Sequence, residues 1–190
     1  MRKYIFLSTI FILLGVHMNL QAQNNSKKIL VVYFSCTGNT HSVALHIANA
    51  LKADIHEIRP AVPYTSADLN WRDSSSRSSM ENNNPSSRPE ISGTPINMDQ
   101  YDIIFLGYPI WWGQAPKIIY TFMDRYNFSG KTIVPFCTSG SSPIGSSAAN
   151  LHNLTTASTT WLSGARFAAN ASRSSIVTWL NGLKLGITAE

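Results

Sequence analysis

The sequence predicts an α/β protein whose parallel sheet carries helices on both faces. Residues 29–34 and 103–106 are apolar at nearly every position, which is typical of strands buried on both sides of a parallel sheet. Segments with helical periodicity alternate with strands along the chain, in the order β-α-β-insertion-β-α-β-α-β-α. Because crossovers between parallel strands are right-handed, we expect the helices on opposite faces of the sheet.

The first strand leads through a short polar turn, residues 35–40, into a helix at 41–51. The apolar side chains of this helix fall on one face, at Val43, Ala44, Ile47, Ala48 and Leu51. Amide groups at a helix start lack partners and the helix dipole is positive there, so the turn is a candidate phosphate site. Its hydroxyl and amide side chains add donors without adding charge. The alternative is that Thr37 or Asn39 only caps the helix.

A long insertion follows the second strand. Residues 53–58 alternate between apolar and polar side chains, as a half-exposed strand does, and Arg59 and Pro60 end it. Residues 61–97 show no sustained periodicity and are rich in Ser, Asn and Pro. A segment of this length without regular structure indicates a functional insertion or a lid, and less often disorder.

Two more strands end in loops with candidate binding residues. The strand at 103–106 is followed by a loop at 107–113 that contains three aromatic side chains. A helix is predicted to start at Ala115-Pro116, because proline suits the first helical turn; its buried stripe comprises Ile118, Ile119, Phe122 and Met123. The strand at 132–136 ends in a loop at 137–142.

The last third of the chain carries weaker signals. Residues 143–154 have the pattern of a weak amphipathic helix, and residues 161–167 predict a peripheral last strand. Ser172 is the expected N-cap of a closing helix. The side chains of that helix predicted to face inward are Ile176, Val177, Leu180 and Leu183.

The polar and aromatic loops are expected to meet at one edge of the sheet. The loops at 35–40, 107–113 and 137–142 each follow a strand. In an open parallel sheet, ligands bind beyond the carboxyl ends of the strands. One phosphate loop and two loops that could wall a flat ring therefore predict a single continuous site.

The first residues have the pattern of a signal peptide. Arg2 and Lys3 precede an apolar run from Tyr4 to Val16 that is too short to span a bilayer, and Ala22 is a small residue at which cleavage could occur. We therefore predict a signal peptide at 1–22, a polar leader at 23–27 and a single domain at 28–185. The protein would be exported to the periplasm or secreted, with no stable membrane anchor after cleavage. The alternative is an uncleaved anchor.

Composition argues against nucleic-acid binding. The chain has 15 basic and 10 acidic residues, and cleavage after Ala22 would leave a mild excess of positive charge. No basic stripe accompanies it, whereas nucleic-acid binding needs a clustered cationic face. The two cysteines, Cys36 and Cys137, each end a hydrophobic strand, so we interpret them as thiols near the site rather than as a disulfide.

Three motifs resemble those of flavodoxin-like FMN proteins, in the branch with an insertion after the second strand. They are residues 33–40 (YFSCTGNT), 107–113 (GYPIWWG) and 136–140 (FCTSG), and the similarity covers nearly all of residues 28–185. The resemblance implies a three-layer fold, a five-stranded sheet of order 2-1-3-4-5 and one non-covalent FMN. It implies cofactor contacts at Ser35, Cys36, Thr37, Gly38, Asn39, Thr40, Tyr108, Pro109, Ile110, Trp111, Trp112, Gly113, Cys137, Thr138, Ser139 and Gly140. Of Trp111 and Trp112, one is expected to belong to the core.

Electron transfer is the function that the resemblance implies, with a redox partner protein or a small quinone-like acceptor. It assigns no catalytic residue and no metal. The chain departs from the family in its mild positive charge, in its predicted export and in Cys36 within the phosphate loop. An FMN-dependent NAD(P)H:quinone oxidoreductase is the nearest alternative, with Trp111, Trp112 and residues 61–97 around the acceptor.

Two more distant alternatives stay open. A low-molecular-weight tyrosine phosphatase or arsenate reductase also has Cys-x-Gly-Asn between a strand and a helix. Its chemistry needs an arginine six residues after the cysteine, where this chain has Ser42, and a low-pKa thiolate. A flavin-free binding protein would use the same pocket for another ligand.

Overall fold

The computed structural model describes residues 27–190, so the predicted signal peptide and most of the polar leader lie outside the described residues. The strands are β1 Ile29–Tyr33, β2 Asp54–Glu57, β3 Arg59–Pro60, β4 Ile91–Ser92, β5 Ile103–Pro109, β6 Thr132–Thr138, β7 Thr160–Trp161 and β8 Ala165–Phe167. The helices are α1 Asn39–Leu51, α2 Arg77–Asn83, α3 Lys117–Arg125, α4 Ala149–His152 and α5 Arg173–Gly182. Within residues 27–190, none of the helices has the length and apolar character needed to cross a membrane.

The main sheet is parallel throughout. Its order is β2-β1-β5-β6-β7. Strand β8 also pairs with β6, along the same edge as β7 but closer to the carboxyl end of β6. If β7 and β8 are counted as one interrupted strand, this is the predicted order 2-1-3-4-5. The predicted α/β fold is therefore confirmed.

The fifth strand is interrupted opposite a proline. Ile133 accepts a hydrogen bond from the Leu162 amide on this side of β6, and the Ser139 amide donates to Phe167 on the same side. Residues 133, 135 and 139 alternate with their neighbours, so all three direct their backbone groups to this side of β6. Pro135, however, has no N–H to donate. Gly164 approaches so closely that a Cβ atom there would lie 2.6 Å from the Pro135 carbonyl oxygen. The missing donor and the close approach divide the strand into β7 and β8.

The two faces of the sheet carry separate parts of the core. Leu30, Val32 and Phe34 pack on the side of α3, whereas Ile29, Val31 and Tyr33 pack on the side of α1 and α5. Every residue of β1 is buried, because both sets of side chains are covered. This explains why the strand reads as a continuous apolar run.

The insertion has more regular structure than the sequence predicted. Residues 59–60 and 91–92 pair as the antiparallel ribbon of β3 and β4, and α2 lies between them. The Ser76 side chain caps α2 by accepting from the Ser79 amide. Contacts with α3 tie the segment to the sheet: the Arg88 guanidinium pairs with Asp124 at 2.5 Å, and Thr121 donates to the Pro89 carbonyl at 2.8 Å.

Several element boundaries differ from the predictions. Strands β5 and β6 continue to Pro109 and Thr138, so the first residues of both predicted loops belong to the sheet. The predicted helix at 143–154 is wrong for most of its length, since only residues 149–152 are helical. The prediction for the closing helix is confirmed: Ser172 accepts from the Ser175 amide, and Ile176 and Leu180 are buried.

Candidate flavin site

A cavity of about 290 Å³ lies at the carboxyl ends of β1, β5 and β6. Each of the three predicted loops contributes to its wall, and a fourth segment follows β8. The lining residues are Thr37, Asn39, Pro109, Ile110, Thr138, Ser139, Gly140, Ala168 and Ala169. Seven of them were predicted from the sequence, because parallel strands bring the loops at their carboxyl ends to one edge.

The start of α1 presents free backbone donors to this cavity. Gly38 is the N-cap residue, with φ of 84°, a conformation that glycine adopts without strain. Ser35 accepts from the Gly38 amide at 3.1 Å, and the Gly38 carbonyl accepts from the Ser42 amide at 2.9 Å. Neither Thr37 nor Asn39 caps the helix, so the capping alternative is wrong.

The amides of residues 39–41 have no hydrogen-bond partner within residues 27–190. They stand at the positive end of a 13-residue helix. Thr37 and Asn39 beside them are exposed and line the cavity. Unpaired amides, a helix dipole and two polar side chains suit an anionic group such as a phosphate.

The Thr40 side chain makes a contact within the protein that the sequence did not predict. Its side chain is 1% exposed, and its hydroxyl lies 2.8 Å from that of Thr138, which is also buried. One of the two hydroxyl protons forms the hydrogen bond between the side chains, and the other hydroxyl proton stays available to a third group. Thr40 thus joins the start of α1 to the end of β6, and Thr138 is the member of the pair that reaches the cavity.

The two tryptophans of the second loop differ in environment: Trp111 packs against the core, as expected for one of the pair, Trp112 is exposed, and neither lines the cavity. Trp111 is half-buried and makes edge-to-face contacts with Phe34 and Tyr64, at ring-centroid distances of 5.6 and 5.5 Å. Trp112 is 41% exposed and has φ of 48°. Trp111 and Gln114 exchange backbone hydrogen bonds across the turn, in which Trp112 and Gly113 both have positive φ. Such a turn places the Trp112 side chain at an exposed tip.

The second and third loops are joined close to the cavity. The Ile110 amide donates to the Thr138 carbonyl at 3.0 Å, which continues the β5–β6 ladder past Pro109. Pro109 and Ile110 are half-buried and form one wall, and Ser139 and Gly140 form another.

Two predicted site residues point into the core instead. Tyr108 is fully buried, and its hydroxyl lies 3.1 Å from the buried Ser147 hydroxyl. Cys137 is also fully buried in the cluster on the α3 side, and burial raises the pKa of its thiol to about 12. Both residues lie within strands longer than predicted, and the alternation of the strand turns their side chains away from the cavity.

Cys36 belongs to the turn at 35–40, but its side chain packs against the core. It is half-buried and packs near Tyr64 and Trp111 in the same apolar cluster. Burial raises the pKa of its thiol to about 12, and the opposing effect of Arg77 is smaller. A nucleophilic cysteine works as a thiolate, so this environment argues against the phosphatase chemistry considered above.

Sequence reasoning missed the part of the site that follows β8. Ala168 and Ala169 line the cavity, and Arg166 contacts the third loop. The weak apolar pattern of the interrupted strand gave no indication that its end would reach the site.

A wider groove of about 570 Å³ lies elsewhere, beside β2 and residues 92–97. It does not include the free amides of α1 or any residue of the three loops. We therefore place the functional site in the smaller cavity, where unpaired donors and the carboxyl ends of the strands coincide.

Comparison with known proteins agrees with the fold. The flavodoxin family model matches residues 28–183. Crystal structures of proteins assigned as flavoproteins from Bacteroides eggerthii DSM 20697 and Bacteroides uniformis ATCC 8492 are 44% and 41% identical, each with a TM-score of 0.78. The matches cover 84% and 82% of this chain and 99% and 98% of those chains. Among curated proteins, none matches the chain.

A more distant structure is the flavoprotein from Lactobacillus acidophilus NCFM in complex with FMN. It is 23% identical with a TM-score of 0.60, and the match covers 74% of this chain and 93% of that chain. At this identity the likeness shows the fold alone. The family match spans most of the chain. The chain belongs to the flavodoxin family.

Proposed function

We propose that the protein binds FMN non-covalently in the cavity at residues 37–39, 109–110 and 138–140, and that it acts in electron transfer. The observation that carries this proposal is the set of unpaired amides at the start of α1, opening into a cavity built by three loops. Family membership and the FMN complex of a structural neighbour support FMN as the cofactor.

The phosphate of FMN would be held by the amides of residues 39–41 and by the side chains of Thr37 and Asn39. A dianion held by uncharged donors gains from the helix dipole and from several hydrogen bonds at once. Pro109 and Ile110 would face the ring system on one side, and Ser139 and Gly140 would offer polar groups at its edge.

Bound FMN supplies the electron chemistry. The chain contributes the environment: the apolar wall at Pro109 and Ile110 excludes water, and the polar groups of the third loop orient the ring edge. Such contacts set how tightly each oxidation state is held, and therefore the reduction potential.

Thr37→Ala should separate phosphate recognition from ring recognition. We expect it to weaken FMN binding about tenfold, equivalent to roughly 1.4 kcal/mol, because a donor to a charged phosphate is lost. Riboflavin, which lacks the phosphate, should lose less than twofold. Both affinities can be measured from flavin fluorescence quenching.

Thr94→Ala is the matched control. Thr94 is equally exposed but lies in the groove beside β2, so its loss should leave both affinities unchanged. Equal weakening of FMN and riboflavin by Thr37→Ala would contradict the placement of the phosphate. Failure of the wild-type protein to bind FMN would overturn the proposed function itself.

An NAD(P)H:quinone oxidoreductase is the second candidate. The observation that favours it is the exposed indole of Trp112, two residues beyond the cavity wall at Ile110, which offers a surface for an aromatic acceptor. No residue of the described insertion lines the cavity, and Trp111 is engaged with Phe34 and Tyr64, so the enclosed acceptor pocket envisaged for this enzyme lacks support. Steady-state quinone reduction with NADH or NADPH by FMN-loaded protein would favour the enzyme over a carrier.

We also propose that the protein is exported to the periplasm or secreted, from the signal-peptide pattern of residues 1–22. The mature protein would then meet a redox partner protein or a quinone-like acceptor outside the cytoplasm. Mass spectrometry of protein from the native host should show cleavage near Ala22, whereas a full-length cytoplasmic protein would contradict export.

A further inference from the structure

Arg166 is joined to the loop that forms one wall of the cavity. It lies on β8 and is exposed. Its guanidinium donates to the Ser139 carbonyl at 2.9 Å, to the Ser139 hydroxyl at 3.2 Å and to the Gly140 carbonyl. One side chain thus contacts both residues that the third loop contributes to the wall beyond β6.

These bonds constrain a loop that has few other restraints. Ser139 also donates to the Phe167 carbonyl through its amide and to the Ser142 carbonyl through its hydroxyl. Gly140 has no atom within 4 Å of where a Cβ would stand, so packing does not hold it. One guanidinium nitrogen, Nη2, donates to both successive carbonyls, and Nε donates to the Ser139 hydroxyl. A lysine ammonium has a single nitrogen and does not reproduce this planar pair of donors.

The same side chain brings a positive charge to this edge. None of the nine residues described as lining the cavity carries a formal charge. A charge held against Ser139 and Gly140 is therefore not balanced by the cavity wall. Reduction of a flavin by two electrons with uptake of one proton adds a negative charge to the ring, and a nearby cation favours that form.

We propose that Arg166 is a positioning residue for the cofactor: it orders the loop at Ser139 and Gly140 against the flavin ring and stabilises the reduced, anionic form. This inference rests on the proposed function. It adds to that function a residue that determines affinity and reduction potential without itself lining the cavity.

Arg166→Gln and Arg166→Lys separate the two contributions. Arg166→Gln removes both the fork and the charge; we expect FMN to bind about tenfold more weakly. Reduced FMN should lose a further tenfold, which lowers the two-electron potential of the bound cofactor by about 30 mV. Arg166→Lys keeps the charge, so the potential should return toward that of the wild type while the affinity stays reduced.

Arg88→Gln is the matched control. Arg88 is also exposed and also donates to two backbone carbonyls, those of Pro85 and Ser87, but it holds the insertion rather than the cavity wall. This variant should match the wild type in both measurements.

The measurements are FMN affinity by fluorescence quenching and potential by anaerobic dithionite titration against a reference dye, with thermal melting of each apo variant to confirm folding. If the wild type binds FMN and Arg166→Gln matches it within twofold in affinity and in potential, the inference is overturned and the proposed function stands. An equal effect of Arg88→Gln would also overturn it. Failure of the wild type to bind FMN would overturn both.

Discussion

The hydroxyl pair of Thr40 and Thr138 illustrates how a residue predicted to bind a ligand can serve to support the site. Thr40 and Thr138 are only 1% and 4% exposed, and their hydroxyl oxygens lie 2.8 Å apart. The pair joins the helix that presents the free amides to the strand that carries the third loop. A change at Thr40 should therefore act first on the stability of this junction.

Thr40→Val removes the hydroxyl while keeping the shape of the side chain. We expect the free energy of unfolding to fall by about 1–2 kcal/mol, because the buried Thr138 hydroxyl loses its partner. Urea denaturation of the apo protein measures this. Thr40→Ser, which keeps the hydroxyl and loses only the methyl group, should be destabilised less than Thr40→Val. If the two variants were equally destabilised, loss of the hydrogen bond would not be the main cause.

At the scale of elements, the insertion is held over the cluster around Trp111 by an interlocked set of polar contacts. Glu81 on α2 accepts from the Tyr64 hydroxyl at 2.6 Å and from Arg77 at 2.7 Å. The Arg77 guanidinium also lies 4.0 Å from the centre of the Tyr64 ring. Glu81 is thus the shared acceptor that fixes the side chain of Tyr64 against Phe34 and Trp111.

Glu81→Gln should loosen the insertion. We expect a loss of about 1–3 kcal/mol in the free energy of unfolding, because a half-buried arginine loses its charged partner. Limited proteolysis should also cleave within residues 61–97 faster than in the wild type.

Glu90→Gln provides the comparison within the same insertion, since Glu90 is exposed and its carboxylate makes no hydrogen bond or ion pair among the described residues. Its stability and cleavage rate should stay at the wild-type level. Equal cleavage of the two variants would mean that Glu81 does not fix the insertion.

The elements that could be predicted from the sequence are those with a strong apolar period. Strands β1 and β5 and helices α1, α3 and α5 were found because one pattern dominated each segment. The ends of β5 and β6 were placed too early, since glycine, proline and cysteine resemble loop residues until the pairing with neighbouring strands is known. The regular structure inside the insertion depends on polar helix caps and on contacts with α3, which is distant in sequence. Neither feature produces a periodic pattern of apolar residues.

At the scale of the whole molecule, the location of the site could be predicted from the sequence, but the side chains that line it could not all be predicted. The parallel topology alone requires the loops after β1, β5 and β6 to meet. Which side chains enter the cavity depends on strand register, and this is why the side chains of Tyr108 and Cys137, two residues predicted to contact the cofactor, face the core instead. The lining residues that follow β8 were not predicted, because their position depends on how an interrupted strand packs in the folded protein.

The molecule should lose stability at alkaline pH through its two thiols. Burial raises the pKa of Cys36 and of Cys137 to about 12, above the ordinary value of 9.0 that applies in the unfolded chain. Between pH 9 and 12 the unfolded state therefore binds fewer protons than the folded state, and the free energy of unfolding falls as pH rises. One such group can contribute a slope of at most about 1.4 kcal/mol per pH unit.

Urea denaturation from pH 8 to pH 10.5 tests this, with Cys137→Ala as the variant. The variant will start from a lower stability because a buried side chain is truncated, so the quantity compared is the slope. A shallower alkaline slope is the expected result. Identical slopes would mean that the Cys137 thiol does not contribute.

The interruption opposite Pro135 also affects how the sheet meets other molecules. A long border strand offers a row of free peptide groups on which a second chain can build, leading to aggregation. Here the border next to β6 is broken into runs of two and three residues. The other border, β2, has four residues and carries Asp54 and Glu57. Neither side offers a long uncharged template, so the architecture discourages copies of the protein from joining edge to edge.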